Sequence, residues 1–333
     1  MENMETYDLK PARKVYSGIG WSLCAILAVL LVSQLALSLV LKKFWPDGCW
    51  LTTSPYGKWI LNFAPQYLIA IPTGLLLLRR IPASTPEGIQ MGAKTFWTFI
   101  PICFCLTYAG SIAGNLLSSL LSGGQAENAL NEFAMDSNPI KILFMVVLAP
   151  LFEEYVFRKQ IIDRTRIYGE KTAVFLSALT FGLFHANLFQ FFYAFLVGWI
   201  FAYAYIRSGR LRYPVLMHSI VNLMGSVIAP LVLSMLDLDA LTNIDPNLSD
   251  AEALELLSNI LPGLLLYMAY AFVLFGLSIT GLVFLIKNCQ KLVWKDGETQ
   301  LPADSRIKTV YLNAGMLVFL IATLALTVLS VLL

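Results

Sequence analysis

Pro150-Leu-Phe-Glu-Glu-Tyr-Val-Phe-Arg-Lys-Gln-Ile-Ile162 follows an apolar run, residues 140–149, that is long enough to form most of a membrane span. Ionisable side chains at membrane depth are costly, and they are kept mainly where they pair or act chemically. Glu153 and Glu154 are adjacent, so on a helix they point about 100° apart. Glu154 and Arg158 are four residues apart and share one face. An arginine can therefore neutralise one carboxylate and leave the other free, which is typical of a site that contains a base.

The composition is that of an integral membrane protein. Of the 333 residues, 58% are hydrophobic and 13% are charged, whereas a soluble domain carries about 25% charged residues. The apolar runs are too long for the core of a signal peptide, which excludes a soluble enzyme behind a cleaved leader. The net charge is only +2, and no basic block indicates a nucleic-acid partner. Five scattered cysteines form neither a disulfide framework nor a metal-binding spacing. We expect the lipid bilayer to be this chain's environment.

The apolar runs predict an all-α, polytopic transmembrane helical bundle of about nine spans, or eight, with the motif helices packed around an intramembrane cavity. The fifth and sixth runs are short and nearly continuous around residues 187–190, so they could form a tight helical hairpin or a partly re-entrant pair. We expect one integral membrane domain over 1–333, with a motif core at about 140–235 and peripheral spans within 17–121 and 258–332. The predicted spans are 17–41, 59–78, 95–121, 140–160, 172–187, 189–206, 213–235, 258–287 and 308–332.

The distribution of basic residues predicts an orientation. With the N-terminus in the cytoplasm, 19 of the 23 lysines and arginines fall on the inner side of the membrane. Only Lys42, Lys43, Lys58 and Lys141 fall outside. Cytoplasmic loops are enriched in Lys and Arg, so we expect a cell-membrane protein with a cytoplasmic N-terminus and an external C-terminus.

Two local patterns predict helix contacts and helix starts. Gly110 and Gly114 form a Gly-x-x-x-Gly pattern in the third span, which is typical of a face where helices pack closely. Ser249 and Glu252 form the pattern of a capping box, which predicts the start of a short surface helix.

Three residue pairs recur at a spacing of four, each within a predicted span, so each pair lies on one helix face. Taken singly, each pair has a structural interpretation: an ion-pair clamp, an aromatic packing contact and an amide that joins helices. The set is more informative, because polar faces in lipid must turn inward toward one another. The pairs are Glu154 with Arg158, Phe181 with His185, and His218 with Asn222.

Converging faces would bring Glu153, His185, His218 and Asn222 into one buried cleft, with Glu154 directed away toward Arg158. A carboxylate, two imidazoles and an amide are the groups needed to activate water and stabilise an oxyanion.

The ordered set Glu153-Glu154-x-x-x-Arg158, Phe181-x-x-x-His185 and His218-x-x-x-Asn222 resembles the three-motif signature of the CAAX-protease and bacteriocin-processing family. This family, also called CPBP or Abi, comprises intramembrane endopeptidases, and the resemblance covers about residues 150–225.

The resemblance implies hydrolysis of a peptide bond in a membrane-associated peptide or protein. If the roles of the family's motif residues apply here, Glu153 and His185 would activate the attacking water. His218 and Asn222 would bind the tetrahedral oxyanion or assist its formation. Glu154, counted with the catalytic residues, would hold the geometry of the site together with Arg158. Phe181 would support the site by packing.

The use of a metal stays open at the level of sequence. Glu153, His185 and His218 could ligate a divalent metal such as zinc and leave one position open for water. The same residues could act as a metal-free glutamate protease. No His-Glu-x-x-His motif is present to favour zinc.

Two other classes of function compete with a protease. A non-catalytic membrane scaffold or immunity protein could have the same fold, although the intact motif set favours an enzyme. A small-molecule transporter would show broken helices in matched halves, and the sequence has no matched halves. No Gly-x-Ser-x-Gly or Gly-x-Gly-Asp stretch supports another intramembrane protease class.

Overall fold

The computed structural model describes residues 8–128, 130–237, 241–242 and 248–332. Every regular element in these ranges is helical, which confirms the predicted all-α class. The helices, in chain order, are α1 (Lys10–Phe44), α2 (Trp50–Thr53), α3 (Gly57–Leu78), α4 (Ala93–Ser122), α5 (Leu130–Ala134), α6 (142–165), α7 (Glu170–Phe184), α8 (Leu188–Ser208), α9 (Arg212–Leu233), α10 (Asp250–Asn288), α11 (Ala303–Val310) and α12 (Ala314–Leu332).

Seven helices in the described part of the chain are long and apolar enough to cross a bilayer: α1, α3, α4, α8, α9, α10 and α12. They lie at seven of the nine predicted positions. The other two positions are occupied by α6 and α7, which differ for physical reasons. α7 has 15 residues, or about 22 Å of helix, against a hydrocarbon core of about 30 Å. α6 carries the charged motif in its second half, so it is not a uniformly apolar span.

The outer surface of the bundle is apolar. Phe272 and Phe275 on α10 are 77% and 65% exposed, and Leu68 on α3 is 75% exposed. Extended apolar surface of this kind does not suit water and marks contact with a partner or with lipid. Together with the seven apolar helices, these surfaces define an integral membrane protein.

The glycine pair of α4 lies where α4 crosses α8. A Cβ on Gly110 would overlap the backbone of Tyr193, and one on Gly114 would lie 2.8 Å from the Phe189 carbonyl oxygen. The two helices therefore approach to backbone contact, as the Gly-x-x-x-Gly pattern predicts. This contact fixes α8, which lines the candidate site.

Two predicted boundaries are wrong. The capping box forms, with Ser249 N–H donating to Glu252 Oε2 at 2.9 Å, but it begins the 39-residue α10 rather than a short surface helix. The last predicted span is interrupted after α11. Asn313 Oδ1 accepts a hydrogen bond from Met316 N–H at 3.0 Å, which caps a new helix start and separates α12 from α11.

Candidate active site

α6 departs from regular α-helical geometry before the motif. Its segment Ile142–Leu148 is a π-helix, in which Ala149 N–H donates to the Phe144 carbonyl five residues back. In this register the Met145 carbonyl would accept from residue 150, which is a proline without an N–H. Asn222 Nδ2 of α9 donates to the Met145 carbonyl at 2.8 Å. Asn222 thus joins α9 to α6 at the Met145 carbonyl, about two turns before Glu153.

We expect replacement of Asn222 by Leu to destabilise the protein by about 1–3 kcal/mol, because it leaves the Met145 carbonyl unsatisfied. Adding Pro150→Ala should recover part of the loss, since residue 150 would regain an N–H for that carbonyl. Thermal unfolding in detergent measures both effects.

Asn115 provides the control for this experiment. Its amide donates to the Ser111 carbonyl within its own helix at 2.7 Å, on an exposed face. Asn115→Leu should therefore cost much less. If Asn222→Leu melted like wild type, or if Pro150→Ala gave no recovery, the carbonyl would not depend on Asn222.

The predicted Glu154–Arg158 pair is present and both side chains are 0% exposed. Arg158 Nε donates to Glu154 Oε2 at 2.7 Å and Nη2 donates to Oε1 at 3.2 Å. Nη1 donates to Ser177 Oγ at 3.0 Å, and the guanidinium lies 4.5 Å from the Phe181 ring centroid. Gly198 leaves room for this arrangement, because a Cβ there would lie 2.9 Å from Phe181 Cδ1. The buried guanidinium of Arg158 is thus paired with a carboxylate of α6 and contacts a hydroxyl and an aromatic ring of α7.

His218 is oriented by the same carboxylate. Its Nδ1–H donates to Glu154 Oε1 at 3.0 Å, so Nε2 is the ring nitrogen that is directed toward the cavity. Nε2 lies 3.8 Å from Glu153 Oε2. The Phe201 ring stacks on the imidazole with centroids 5.3 Å apart. Glu154 is directed toward Arg158 as predicted, and its carboxylate also holds His218 of α9, a contact that the sequence did not predict.

His185 occupies the turn between α7 and α8. Its Nδ1–H donates to the Phe181 carbonyl at 2.9 Å, so Nε2 is the acceptor nitrogen of its neutral ring. Ala186 then adopts a left-handed conformation with φ 48°, and Asn187 Oδ1 caps α8 by accepting from Phe189 N–H at 2.9 Å. α7 and α8 are thus joined by a tight turn, which confirms the predicted helical hairpin.

One cavity of about 300 Å³ collects the four predicted groups: Glu153, His185, His218 and Asn222 all line it. Glu153 is 17% exposed and His218 is 8% exposed. Glu154 and Arg158 are absent from its lining and lie behind it. The Glu154 carboxylate has no exposed surface, and it reaches the cavity only through its hydrogen bond to His218. The apolar lining residues are Leu27, Leu30, Phe63, Met145, Ala149, Phe181, Phe184, Val197, Phe201 and Val221.

Four polar lining residues were missed by the sequence reasoning: Gln66, Gln190, Tyr193 and Ser226. Gln190 Nε2 donates to Tyr193 Oη at 3.1 Å, which leaves the Tyr193 O–H as a donor. Their spacing of three places them on one face at the start of α8, a signal that was available in the sequence. Gln66 lies on α3 four residues after Asn62, so a polar pair at helical spacing was present in that span as well.

The candidate metal ligands do not form a metal-binding arrangement. Glu153, His185 and His218 carry suitable donor atoms and line the same cavity. However, no three His, Cys, Asp or Glu side chains in the described ranges are arranged to hold one ion. We therefore derive no catalytic step through a metal.

The fold and the site define a class: an integral membrane protein with a half-buried carboxylate and two oriented imidazoles on one cavity. Residues 136–224 match the family described as Rce1-like, type II CAAX prenyl endopeptidase. The chain belongs to this family of membrane CAAX proteases.

Two relatives support the assignment. The chain is 30% identical over 169 residues to the membrane-embedded CAAX protease MroQ of Staphylococcus aureus, covering 47% of this chain and 68% of MroQ. It is 27% identical over 166 residues to YdiL of Bacillus subtilis, which is named "Putative membrane peptidase YdiL", covering 47% of this chain and 66% of YdiL. The matched region thus spans about two thirds of each relative. No solved structure is significantly similar to the chain.

Proposed function

We propose that the protein is an intramembrane endopeptidase that hydrolyses a peptide bond of a membrane-associated peptide or protein. The observation that carries this proposal is the position of Glu153 Oε2, 3.8 Å from His218 Nε2 on a shared cavity. Both atoms are acceptors, and one water molecule can contact both at hydrogen-bond distances of about 2.8 Å.

In the proposed reaction, Glu153 is the general base. A water donates one O–H to Glu153 and the other to the unprotonated Nε2 of His218. These two hydrogen bonds aim the lone pair of the water oxygen at the scissile carbonyl carbon. Glu153 accepts the proton as the carbon–oxygen bond forms. The protonated carboxyl then returns the proton to the leaving amine as the carbon–nitrogen bond breaks.

The oxyanion needs donors that face the cavity. Asn222 uses one of its two N–H groups for the Met145 carbonyl, so the second remains for the substrate. The Tyr193 hydroxyl accepts from Gln190 and offers its own O–H. We propose that Asn222 and Tyr193 stabilise the developing oxyanion.

Glu154 and Arg158 act as positioning residues. The buried carboxylate fixes the tautomer of His218 through Nδ1, as an outer-shell carboxylate does for a ligating or catalytic histidine. Arg158 keeps that carboxylate ionised and in place through two hydrogen bonds. Phe181 supports both imidazoles, with centroid separations of 5.0 Å to His185 and 5.7 Å to His218.

We propose a location in the cell membrane with a cytoplasmic N-terminus, from the bias of basic residues. We propose that the substrate reaches the cavity from the bilayer or its surface, because the substrate is itself membrane-associated. The relative MroQ is named a membrane-embedded CAAX protease, which supports a membrane location for this chain.

The proposed function is tested by comparing the peptides in membranes of cells that carry the wild-type chain or Glu153→Ala at equal levels. Mass spectrometry should find a set of new peptide termini with wild type that Glu153→Ala lacks. A non-catalytic scaffold or immunity protein would give identical profiles for the two chains, which would contradict a protease.

We expect proteolysis by the purified protein to persist after chelation, because the described side chains offer no three-ligand site. Incubation with a strong zinc chelator, followed by removal of the chelator, should leave turnover within about twofold of the untreated protein. Elemental analysis of the same samples provides the control. Loss of turnover that zinc alone restores would show that the ligands rearrange around a metal.

A further inference from the structure

A second cavity, of about 680 Å³, lies at the end of the bundle where α4 begins and α8 and α10 end. Four basic residues line it: Lys94, Arg207, Lys291 and Lys295. Glu87 is the one acidic residue in the lining of this cavity, all of whose lining residues are described. This end of the bundle is the one that the charge bias places in the cytoplasm.

Most of this positive charge is uncompensated within the protein. Arg207 pairs with Glu170 of α7. The ammonium groups of Lys94, Lys291 and Lys295 form no ion pair within the described ranges. All three lysines are exposed, so they can turn toward a bound anion. The cavity therefore suits a ligand that carries negative charge.

An apolar cavity of about 230 Å³ continues from the basic one. The two share Phe99, Ile102, Tyr203, Asn288 and Leu292. The apolar cavity extends between the helices along Leu106, Leu196, Trp199, Ile200 and Leu285. A basic chamber at the helix ends and an adjoining apolar groove match a molecule with an anionic head and a hydrocarbon chain.

We propose that this composite cavity binds an anionic phospholipid. Its phosphate would lie among Lys94, Lys291 and Lys295, and one acyl chain would follow the groove between α4, α8 and α10. Basic pockets between membrane helices at the cytoplasmic surface suit such headgroups. The site is separate from the catalytic cavity, since α8 presents Val197 and Phe201 to that cavity and Trp199 and Ile200 to the groove.

The full-length protein in neutral detergent can be titrated with phosphatidylglycerol, phosphatidylcholine or inorganic phosphate, with bound lipid counted by native mass spectrometry. We expect saturable binding of phosphatidylglycerol at least about tenfold tighter than that of phosphatidylcholine. Equal binding of the two lipids would contradict recognition of the charge. Inorganic phosphate should not compete at the same concentration. Full competition by it would show a free-phosphate site and overturn the assignment to a lipid.

A charge-matched pair of variants locates the site. Lys94→Gln, Lys291→Gln and Lys295→Gln together should weaken phosphatidylglycerol binding about tenfold or more. The control combines Lys10→Gln, Lys14→Gln and Lys308→Gln, which removes the same charge from exposed positions at the same predicted face. The control should change binding by less than about twofold. An equal loss in both variants would reveal nonspecific surface attraction and overturn the proposal.

Discussion

Glu153→Gln should lower the rate of peptide hydrolysis by about 10²–10⁴-fold and leave the protein folded. The factor is the usual contribution of a positioned general base. Glutamine keeps the shape of the side chain but cannot take a proton from water. Because Glu153 forms no hydrogen bond in the described structure and borders a cavity, the exchange removes no structural partner. Turnover should be measured on purified protein in liposomes with a peptide identified by the membrane profiles.

Glu127→Gln is the matched control for this variant. Glu127 is exposed and lies in the loop after α4, remote in sequence from the site. Its variant should hydrolyse the peptide at the wild-type rate. Near-normal turnover in Glu153→Gln would show that another group takes the proton.

Arg158→Ala should lower stability by about 3–5 kcal/mol, because it strands the fully buried Glu154 carboxylate. In a chain of this size we expect a fall of roughly 10 °C in the unfolding midpoint. Activity should fall as well, since the carboxylate that orients His218 loses its own support. Thermal unfolding in detergent and peptide turnover measure the two effects.

Arg210→Ala serves as the control, because Arg210 is exposed and reaches only Gln90 Oε1, at 3.3 Å. A paired variant, Arg158→Met with Glu154→Leu, removes both buried charges. It should regain much of the stability, since apolar replacement of a buried ion pair is often neutral. It should not regain activity, because the Nδ1–H of His218 then has no acceptor. Loss of activity by Arg158→Ala with an unchanged melting midpoint would contradict a supporting role and favour a direct catalytic one.

The contacts that the sequence predicts best are local ones. Spacing of four within one helix gives the Glu154–Arg158 pair and places His185 over Phe181, because helix geometry fixes such neighbours without knowledge of the fold. The Gly110–Gly114 face follows from the same periodicity. The rule that polar faces in lipid turn inward accounts for the meeting of Glu153, His185, His218 and Asn222 on one cavity.

The contacts that the sequence does not predict join distant segments or depend on irregular backbone. His218 and Glu154 are 64 residues apart, and no pattern states that one carboxylate serves both an arginine and a histidine. The role of Asn222 depends on a π-helical register that frees one carbonyl before Pro150, and hydropathy does not reveal that register. The predicted spans at 140–160 and 172–187 differ from α6 and α7 for a related reason. Hydropathy measures apolar content and does not show that neighbouring helices shield a charged or short helix.

The central claim is that Glu153 and His218 act on one water molecule as a unit. It is tested most directly by the turnover of the double variant Glu153→Gln with His218→Ala, measured beside each single variant in the same liposomes. Groups that act together lose their function together, so the double variant should be scarcely slower than the slower single variant. If the two losses multiplied, Glu153 and His218 would contribute independently, and the account of a single activated water would be contradicted.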